Sequence, residues 1–122
     1  MRYVDGFLIP IRRKNLERYK NIARRAGEVW LELGALEYME CVGDDLRAKG
    51  MSPFPVRAKT KPGETVVFSW IVYQSKGHRD RVNAKVMKDP RILKIIEESG
   101  SSLFDIKRMS YGGFKAIVDK RR

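Results

Sequence analysis

Hydrophobic positions in the middle of the chain predict a strand that is apolar on both faces. In residues 66–73 the bulky side chains alternate between two sides, with Phe68 and Trp70 on one and Val67, Ile71 and Tyr73 on the other. An antiparallel sheet with one face in water alternates apolar with polar residues instead. Both faces of this strand must therefore be covered.

The periodicity along the rest of the chain predicts a β-α-β-β-α-β order. Alternation or short apolar runs predict strands at 3–11, 35–42, 64–73 and 108–118, and helical spacing predicts helices at 15–33 and 75–88, with a restart at Asp89 and Pro90. This order is the ferredoxin-like α+β arrangement, with a four-stranded antiparallel sheet and both helices on one face. The length of 122 residues suits one domain spanning 1–122.

Four local features refine this outline. Asn15 is predicted to cap the first helix, and Gly34 suits the left-handed position just past its end. Gly112 and Gly113 predict a bulge in the last strand or a close approach by another backbone or a ligand. Residues 43–63 form a connection long enough to be functional or disordered.

The uncovered face of the sheet predicts self-association. Helices cover only one face of a ferredoxin-like sheet, so one set of apolar side chains on residues 66–73 would remain in water. A second copy of the same sheet is the simplest cover. We therefore expect a homodimer.

Composition favours a globular protein of the reducing cytoplasm. Hydrophobic residues make up 43% and charged residues 34% of the chain, and the longest apolar run near the N-terminus, residues 7–9, is too short for a signal peptide or membrane span. A single cysteine, Cys41, excludes an intramolecular disulfide. We expect Cys41 to be a small buried hydrophobe rather than a nucleophile.

The formal net charge of +11 raises the question of nucleic-acid binding. The excess lies in residues 1–34 and 76–122, which follow the predicted helices and the C-terminal tail. RNA-recognition modules share this order of elements, but they need a glycine and a basic residue beside the aromatics of the third strand, and Glu64–Tyr73 has neither. Solvated helix faces that keep the protein soluble are the favoured explanation of the charge, so RNA binding is not favoured, although nonspecific phosphate contact by the helices stays open.

The sequence resembles the YbaA-like family of small uncharacterised bacterial proteins. The matching segments, which cover nearly the whole chain, are residues 3–7, 34–36, 40–41, 64–71, 79–80 with Asn83, 89–91, 107–109 and 111–114. The resemblance implies a dimeric α+β barrel in which two ferredoxin-like sheets face each other. It implies no established activity. Val42, Ile106 and the connection 43–63 depart from the family pattern.

Six residues are candidates for a ligand-binding site, on the second helix and the strands that flank it: Asp5, Trp70, His78, Arg79, Asn83 and Tyr111. Asp5 lies in a buried strand and needs a partner, with Arg79 or Arg108 in an ion pair favoured over a role as a catalytic base. Arg79 and Asn83 belong to the polar start of the second helix, which would bind an anion or make capping and dimer contacts. Tyr111 would line a cavity or simply pack.

Cofactor sites have little support in the sequence. His78 on a helix beside Trp70 on a strand is the pairing used by haem-degrading barrel enzymes, but a histidine that satisfies the helix end explains it better. One histidine and one cysteine are too few for a zinc site, and Asp44-Asp45 lacks the spacing of a calcium loop. We expect no metal and no tightly held cofactor.

Three functions remain open on this basis. The first is small-molecule binding between sheet and helices, which includes cofactor-free catalysis such as oxygenation of an aromatic or enolic substrate, known for this barrel type. The second is nonspecific nucleic-acid binding, and the third is a structural or regulatory dimer with no ligand. Neither the substrate nor whether the chain is an enzyme follows from the sequence.

Overall fold

Four strands form one antiparallel sheet in the computed structural model, which describes residues 1–100 and 102–122. The strands are β1 (Tyr3–Arg12), β2 (Glu37–Val42), β3 (Glu64–Tyr73) and β4 (Ser110–Lys115), in the spatial order β2-β3-β1-β4. β3 pairs with β1 over its whole length, from Tyr3 opposite Tyr73 to Arg12 opposite Glu64. The strand that is apolar on both faces is thus one of the two central strands.

Three longer helices flank the sheet on one side, and one short helix lies on the other. They are α1 (Leu16–Glu32), the short α2 (Phe54–Arg57), α3 (Lys76–Val86) and α4 (Pro90–Ser99). The Ser75 side chain caps α3 by accepting from the backbone N–H of His78, and Asp89 caps α4 with Pro90 at its first position. Gly34 follows α1 with a φ of 124°, a conformation that side chains rarely adopt.

Alternation along the strands divides the side chains between two faces. The inner face, which carries residues 5, 7, 9 and 11 of β1 and residues 67, 69, 71 and 73 of β3, packs against α1, α3 and α4. This layout is the ferredoxin-like α+β fold that the order of elements predicts. The structure therefore confirms the fold class.

The outer face retains the apolar surface expected from residues 66–73. Phe68 and Trp70 lie there with ring centroids 5.6 Å apart, and Phe68 is still 45% exposed. Part of this face is covered by the chain itself, because Phe54 of α2 packs edge-on against Phe68. Met39 and Phe114 on the neighbouring strands remain exposed.

Four local expectations need correction. Asn15 does not cap α1, since its amide nitrogen donates instead to the carbonyls of Ser102 and Leu103. β4 has no bulge: its register with β1 continues through Gly112 and Gly113, and a side chain, that of Tyr3, makes the close approach at Gly113. Residues 43–63 include the short helix α2, and Cys41 is only partly buried on the outer face.

Residues 1–100 and 102–122 were searched for membrane-spanning helices and for clusters of metal-binding side chains. None of their helices combines the length and apolarity needed to cross a membrane. No three His, Cys, Asp or Glu side chains among them cluster in a way that would hold a metal ion.

Candidate functional site

A cavity of about 440 Å³ lies between the inner face of the sheet and the helices. Its walls are mainly apolar and aromatic side chains, including Phe7, Ile9, Trp30, Ile71 and Phe104. Polar groups enter it from the strands and from two helices: Asp5, Tyr19, Tyr38, Glu40, Ser69, Asn83 and Tyr111. A mostly apolar enclosure with a few converging polar groups is the usual form of a small-molecule site. We call it the inner cavity.

Asp5 is the most deeply buried charge of the inner cavity, with 1% of its surface exposed. Its Oδ1 accepts from Nη1 of Arg79 at 2.7 Å, and the same nitrogen donates to the Tyr111 hydroxyl at 2.8 Å. The Arg79 guanidinium also lies over the Tyr3 ring, 4.9 Å from its centroid. Burial raises the pKa of Asp5, and Arg79 opposes that effect.

Asn83 joins α3 to α1 and β3 through its side-chain amide. Its Oδ1 accepts from the indole N–H of Trp30 at 3.1 Å and from the Tyr73 hydroxyl at 3.0 Å. Its Nδ2 faces Oδ2 of Asp5 at the longer distance of 3.5 Å. The second carboxylate oxygen of Asp5 is therefore the less firmly held of the two and has capacity for another donor.

Glu40 forms a second polar centre, on β2. The Tyr19 hydroxyl donates to its Oε1 at 2.7 Å and the Tyr38 hydroxyl to its Oε2 at 2.8 Å. Burial raises the pKa of the Glu40 carboxyl. Burial first, and then the charge of Glu40, also raise the pKa of both tyrosines. Both hydroxyls thus stay protonated and keep donating to Glu40 across the ordinary pH range.

The structure brings four of the six predicted site residues into one network. Asp5, Arg79, Asn83 and Tyr111 are joined by the contacts given above. Arg79 is the partner of Asp5, whereas Arg108, the other partner considered, pairs with Glu64 at 2.7 Å. A buried carboxylate on a strand and a basic helix start were sufficient to predict this pairing.

Trp70 and His78 lie outside this network. Trp70 borders the inner cavity at the sheet, but its indole ring packs against Phe68 on the outer face and its Nε1 faces Glu37 at 3.4 Å. His78 lies at the start of α3, where its Nδ1 accepts from the backbone N–H of Gln74 at 3.0 Å. The His78 side chain thus satisfies a backbone N–H just before the start of α3.

Sequence reasoning missed Trp30, Tyr73 and the group formed by Glu40 with Tyr19 and Tyr38. Tyr19 and Trp30 lie on the apolar stripe of the first helix and Tyr73 lies in the apolar strand, so their positions alone predict core residues. The available clue was Glu40 itself, a carboxylate on the same face of β2 as Tyr38, where a covered strand should be apolar. Which hydroxyls would reach it depends on how α1 crosses β2.

Comparison with solved structures defines the fold class to which this arrangement belongs. SnoaB, a cofactor-independent oxygenase from Streptomyces nogalater that was crystallised as a mutant, superposes with a TM-score of 0.60 at 11% identity, over 97% of this chain and 95% of that one. A dimeric ferredoxin-like protein from an uncultured marine organism superposes with a TM-score of 0.59 at 10% identity, over 98% of this chain and 100% of that one. At such low identity these likenesses show the ferredoxin-like fold alone.

The family follows from sequence similarity. The family model "Protein of unknown function (DUF1428)" matches residues 2–105. The uncharacterized protein YbaA of Escherichia coli K12 is 41% identical over 121 residues, which cover 98% of this chain and 100% of that protein. The chain therefore belongs to the DUF1428 family, which confirms the resemblance to YbaA.

Proposed function

We propose that the chain binds a small, mainly apolar molecule with an aromatic ring and a hydroxyl or enol group in the inner cavity. The observation that carries this proposal is the cavity itself, about 440 Å³ of mostly apolar space with buried carboxylates at its wall. Aromatic rings supply stacking surfaces for a flat ligand. The less firmly held Oδ2 of Asp5 supplies an acceptor for its hydroxyl.

A cavity-blocking variant tests the proposal. Met87 lines the cavity and is 49% exposed, so Met87→Trp would fill part of the space without entering the core. Met51 is 76% exposed and lies away from the cavity, which makes Met51→Trp the matched control. The probes are 1-naphthol and a series of phenols and 1,3-diketones. Their binding is measured by heteronuclear NMR titration.

We expect saturable binding that shifts the amide signals of Ser69 and Asn83. Met87→Trp should weaken it at least tenfold, and Met51→Trp should leave it unchanged. Equal binding by wild type and Met87→Trp would place the probes elsewhere. Failure of every probe to bind more tightly than about 1 mM, roughly 4 kcal/mol of binding free energy, would count against the proposal as a whole.

A catalytic extension of this proposal is cofactor-free oxygenation of the bound molecule. It draws on the fold shared with SnoaB and on the raised pKa values of Asp5 and Glu40, which suit these carboxylates to take a proton from an enol or phenol. The resulting anion is electron-rich and would react with dioxygen. The test is oxygen uptake by purified protein with a bound probe and no added flavin, haem or metal; no uptake above the protein-free rate would limit the chain to binding.

We also propose that the chain works as a homodimer whose subunits meet through the outer face of the sheet. Apolar side chains of that face, among them Met39, Phe68 and Phe114, border a groove or lie exposed beside it. The dimeric ferredoxin-like protein of similar fold supports self-association, without bearing on which face is used. RNA binding by the helices is the competing use of the charge, and gel shifts over a salt series would detect it.

A further inference from the structure

A second concave surface lies between α1 and the edge strand β2. It has a volume of about 620 Å³, and its floor is formed by Ala23, Val42 and Val67 with Tyr19, Tyr38 and Glu40 at its inner end. The edge position of β2 leaves this groove open to solvent on one side. We call it the α1–β2 groove.

Glu40, at the inner end of the groove, is partly buried and has different partners from the buried Asp5. Asp5 is neutralised by Arg79 at 2.7 Å, whereas the donors to Glu40 within residues 1–100 and 102–122 are uncharged: the hydroxyls of Tyr19 and Tyr38, with the side chain of Ser69 beside them. An ionised carboxylate can accept about four hydrogen bonds in all, so Glu40 retains capacity for at least one more. A desolvated carboxylate that is bonded only to neutral donors favours a cation beside it.

The rim of the groove does not supply that cation. Lys20 and Arg24 line the groove on the exposed side of α1, and Arg24 donates to Asn21 at 2.9 Å. Glu17 and Glu28 line it as well, so three carboxylates face two basic side chains. The groove thus carries one more carboxyl than basic side chains, on a chain whose formal net charge is +11.

Local packing keeps the groove and its tyrosine in place. Gly27 of α1 lies against the Tyr38 ring so closely that a Cβ at position 27 would be 2.6 Å from Cδ1 of the ring. The ring fits only because this position lacks a side chain. The Tyr38 hydroxyl is thereby held on Glu40, and the rings of Tyr19 and Tyr38 add aromatic surface that favours a nearby cation.

The geometry points to the α1–β2 groove as a binding site for a small amphipathic amine, whose ammonium group would lie on Glu40 between Tyr19 and Tyr38. The apolar body of the amine would lie along Ala23, Val42 and Val67. An ammonium group supplies the donors that the free lone pairs of Glu40 can accept and compensates its charge. This site lies on the other side of a wall that it shares with the aromatic-ligand site proposed for the inner cavity, because Tyr19, Tyr38 and Glu40 line both.

The test compares 2-phenylethylamine with 2-phenylethanol, which has the same apolar body without the charge. Binding is followed by heteronuclear NMR titration on the full chain. The amine should bind saturably, shift the amide signals of Ala23, Gly27 and Val42, and bind at least tenfold more tightly than the alcohol. Equal affinity for amine and alcohol would overturn the assignment.

Two variants locate the charge that the amine recognises. Glu40→Gln keeps the size of the side chain and removes its charge, so it should weaken amine binding at least tenfold and leave the alcohol unaffected. Glu37→Gln makes the same change on β2 in a residue that faces Trp70 outside the groove, and it should bind the amine like wild type. Unchanged amine binding by Glu40→Gln would overturn the proposal.

A third variant distinguishes loss of the Glu40 charge from structural disturbance of the same cluster. Tyr38→Phe removes one hydroxyl from Glu40 and leaves its charge, so amine binding should persist with an affinity within about threefold of wild type. If folded Tyr38→Phe and Glu37→Gln variants lost amine binding as Glu40→Gln does, the loss would not follow the charge of Glu40, and the assignment would be contradicted. Binding of 1-naphthol to the inner cavity, measured on the same samples, separates failure of this site from failure of the proposed function.

Discussion

At the scale of single residues, Asn83 and Glu40 are the side chains on which the site most depends. Asn83 accepts from both Trp30 and Tyr73 and so ties α1, α3 and β3 together. Glu40 receives a hydrogen bond on each oxygen from tyrosines of α1 and β2. One residue satisfies buried donors and the other is satisfied by them, so their replacements should have different consequences.

Replacing Asn83 by Leu should destabilise the fold. The substitution keeps the size of the side chain but leaves the Tyr73 hydroxyl without its acceptor, whereas the indole N–H of Trp30 keeps that hydroxyl as a partner at 3.1 Å. A buried polar group that loses its partner costs about 1–3 kcal/mol, so the free energy of unfolding should fall by that order. Urea denaturation measures it, with the exposed Asn21→Leu as control; a loss no greater than that of the control would show that the network contributes little.

Replacing Glu40 by Gln should change how stability depends on pH. Burial raises the pKa of Glu40 in the folded chain, so the folded state holds the proton more tightly than the unfolded state does. Stability should therefore fall as pH rises from the unfolded pKa, near 4.5, through the higher folded pKa.

Glu40→Gln should remove that part of the pH dependence, so its stability relative to wild type should increase with pH. Thermal unfolding of both proteins from about pH 4, near the ordinary pKa of a carboxyl, up to about pH 8 measures the difference between the two curves. A constant difference across this range would mean that Glu40 titrates alike in the folded and unfolded chain.

At the scale of elements, most of the fold could be predicted from the periodicity of the strands and helices. The remaining features depend on contacts between elements. The bounds of β3 follow from an apolar run flanked by Gly63 and Gln74, and the start of α4 follows from Asp89 and Pro90. The cap expected at Asn15 failed because tertiary contacts with residues 102 and 103 engage its amide nitrogen. Local sequence holds no information about partners that are 87 and 88 positions away.

The candidate site divides in the same way. Asp5, Arg79, Asn83 and Tyr111 could be predicted because each is a polar or aromatic residue in a segment whose pattern fixes its place. Trp30 and Tyr19 could not be predicted, because on an apolar helical stripe a residue of the core and a residue of a cavity look alike. Trp70 was misplaced relative to the network because both faces of β3 are apolar, so the pattern did not say which face meets the helices.

Gly27 provides a test of packing between α1 and β2. An alanine in a helix interior is ordinarily more stable than glycine by up to about 1 kcal/mol. Here the new Cβ would lie 2.6 Å from the Tyr38 ring, and overpacking of this kind costs about 1–3 kcal/mol. Gly27→Ala should therefore lower the free energy of unfolding.

Two further variants test whether the loss of stability in Gly27→Ala comes from the contact with the Tyr38 ring. In a Tyr38→Leu background, adding Gly27→Ala should lower the free energy of unfolding by much less than it does in wild type. The reason is that the Tyr38 ring, with which the new Cβ collides, is absent. Gly77→Ala on α3 meets only the flexible end of Arg81 and the edge of Ser75 and should be neutral or stabilising. A stabilising Gly27→Ala would show that α1 and β2 lie farther apart than described.

At the scale of the whole molecule, one face of the sheet is occupied by helices and the other is only partly covered. The short helix α2 shields part of the outer face, yet Phe68 and Phe114 remain 45% and 62% exposed. A stable interface buries about 800 Å² on each partner. The outer face offers its apolar side chains for such an interface.

Phe68→Glu should convert the proposed dimer into a monomer. A charge in the middle of an apolar interface is desolvated without a partner, which is strongly unfavourable. Light scattering coupled to size-exclusion chromatography measures the mass, and Leu93→Glu on the exposed side of α4 is the control. A monomeric wild type, or a Phe68→Glu variant that remains dimeric, would contradict the assignment of this face.

Binding in the inner cavity is tested decisively by a crystal structure of the protein with the most tightly binding naphthol or phenol. We expect ligand density between the sheet and α1 and α3, with the hydroxyl within hydrogen-bonding distance of Asp5 or Glu40. Density on the outer face, or an inner cavity that stays empty while the ligand occupies another surface, would contradict it.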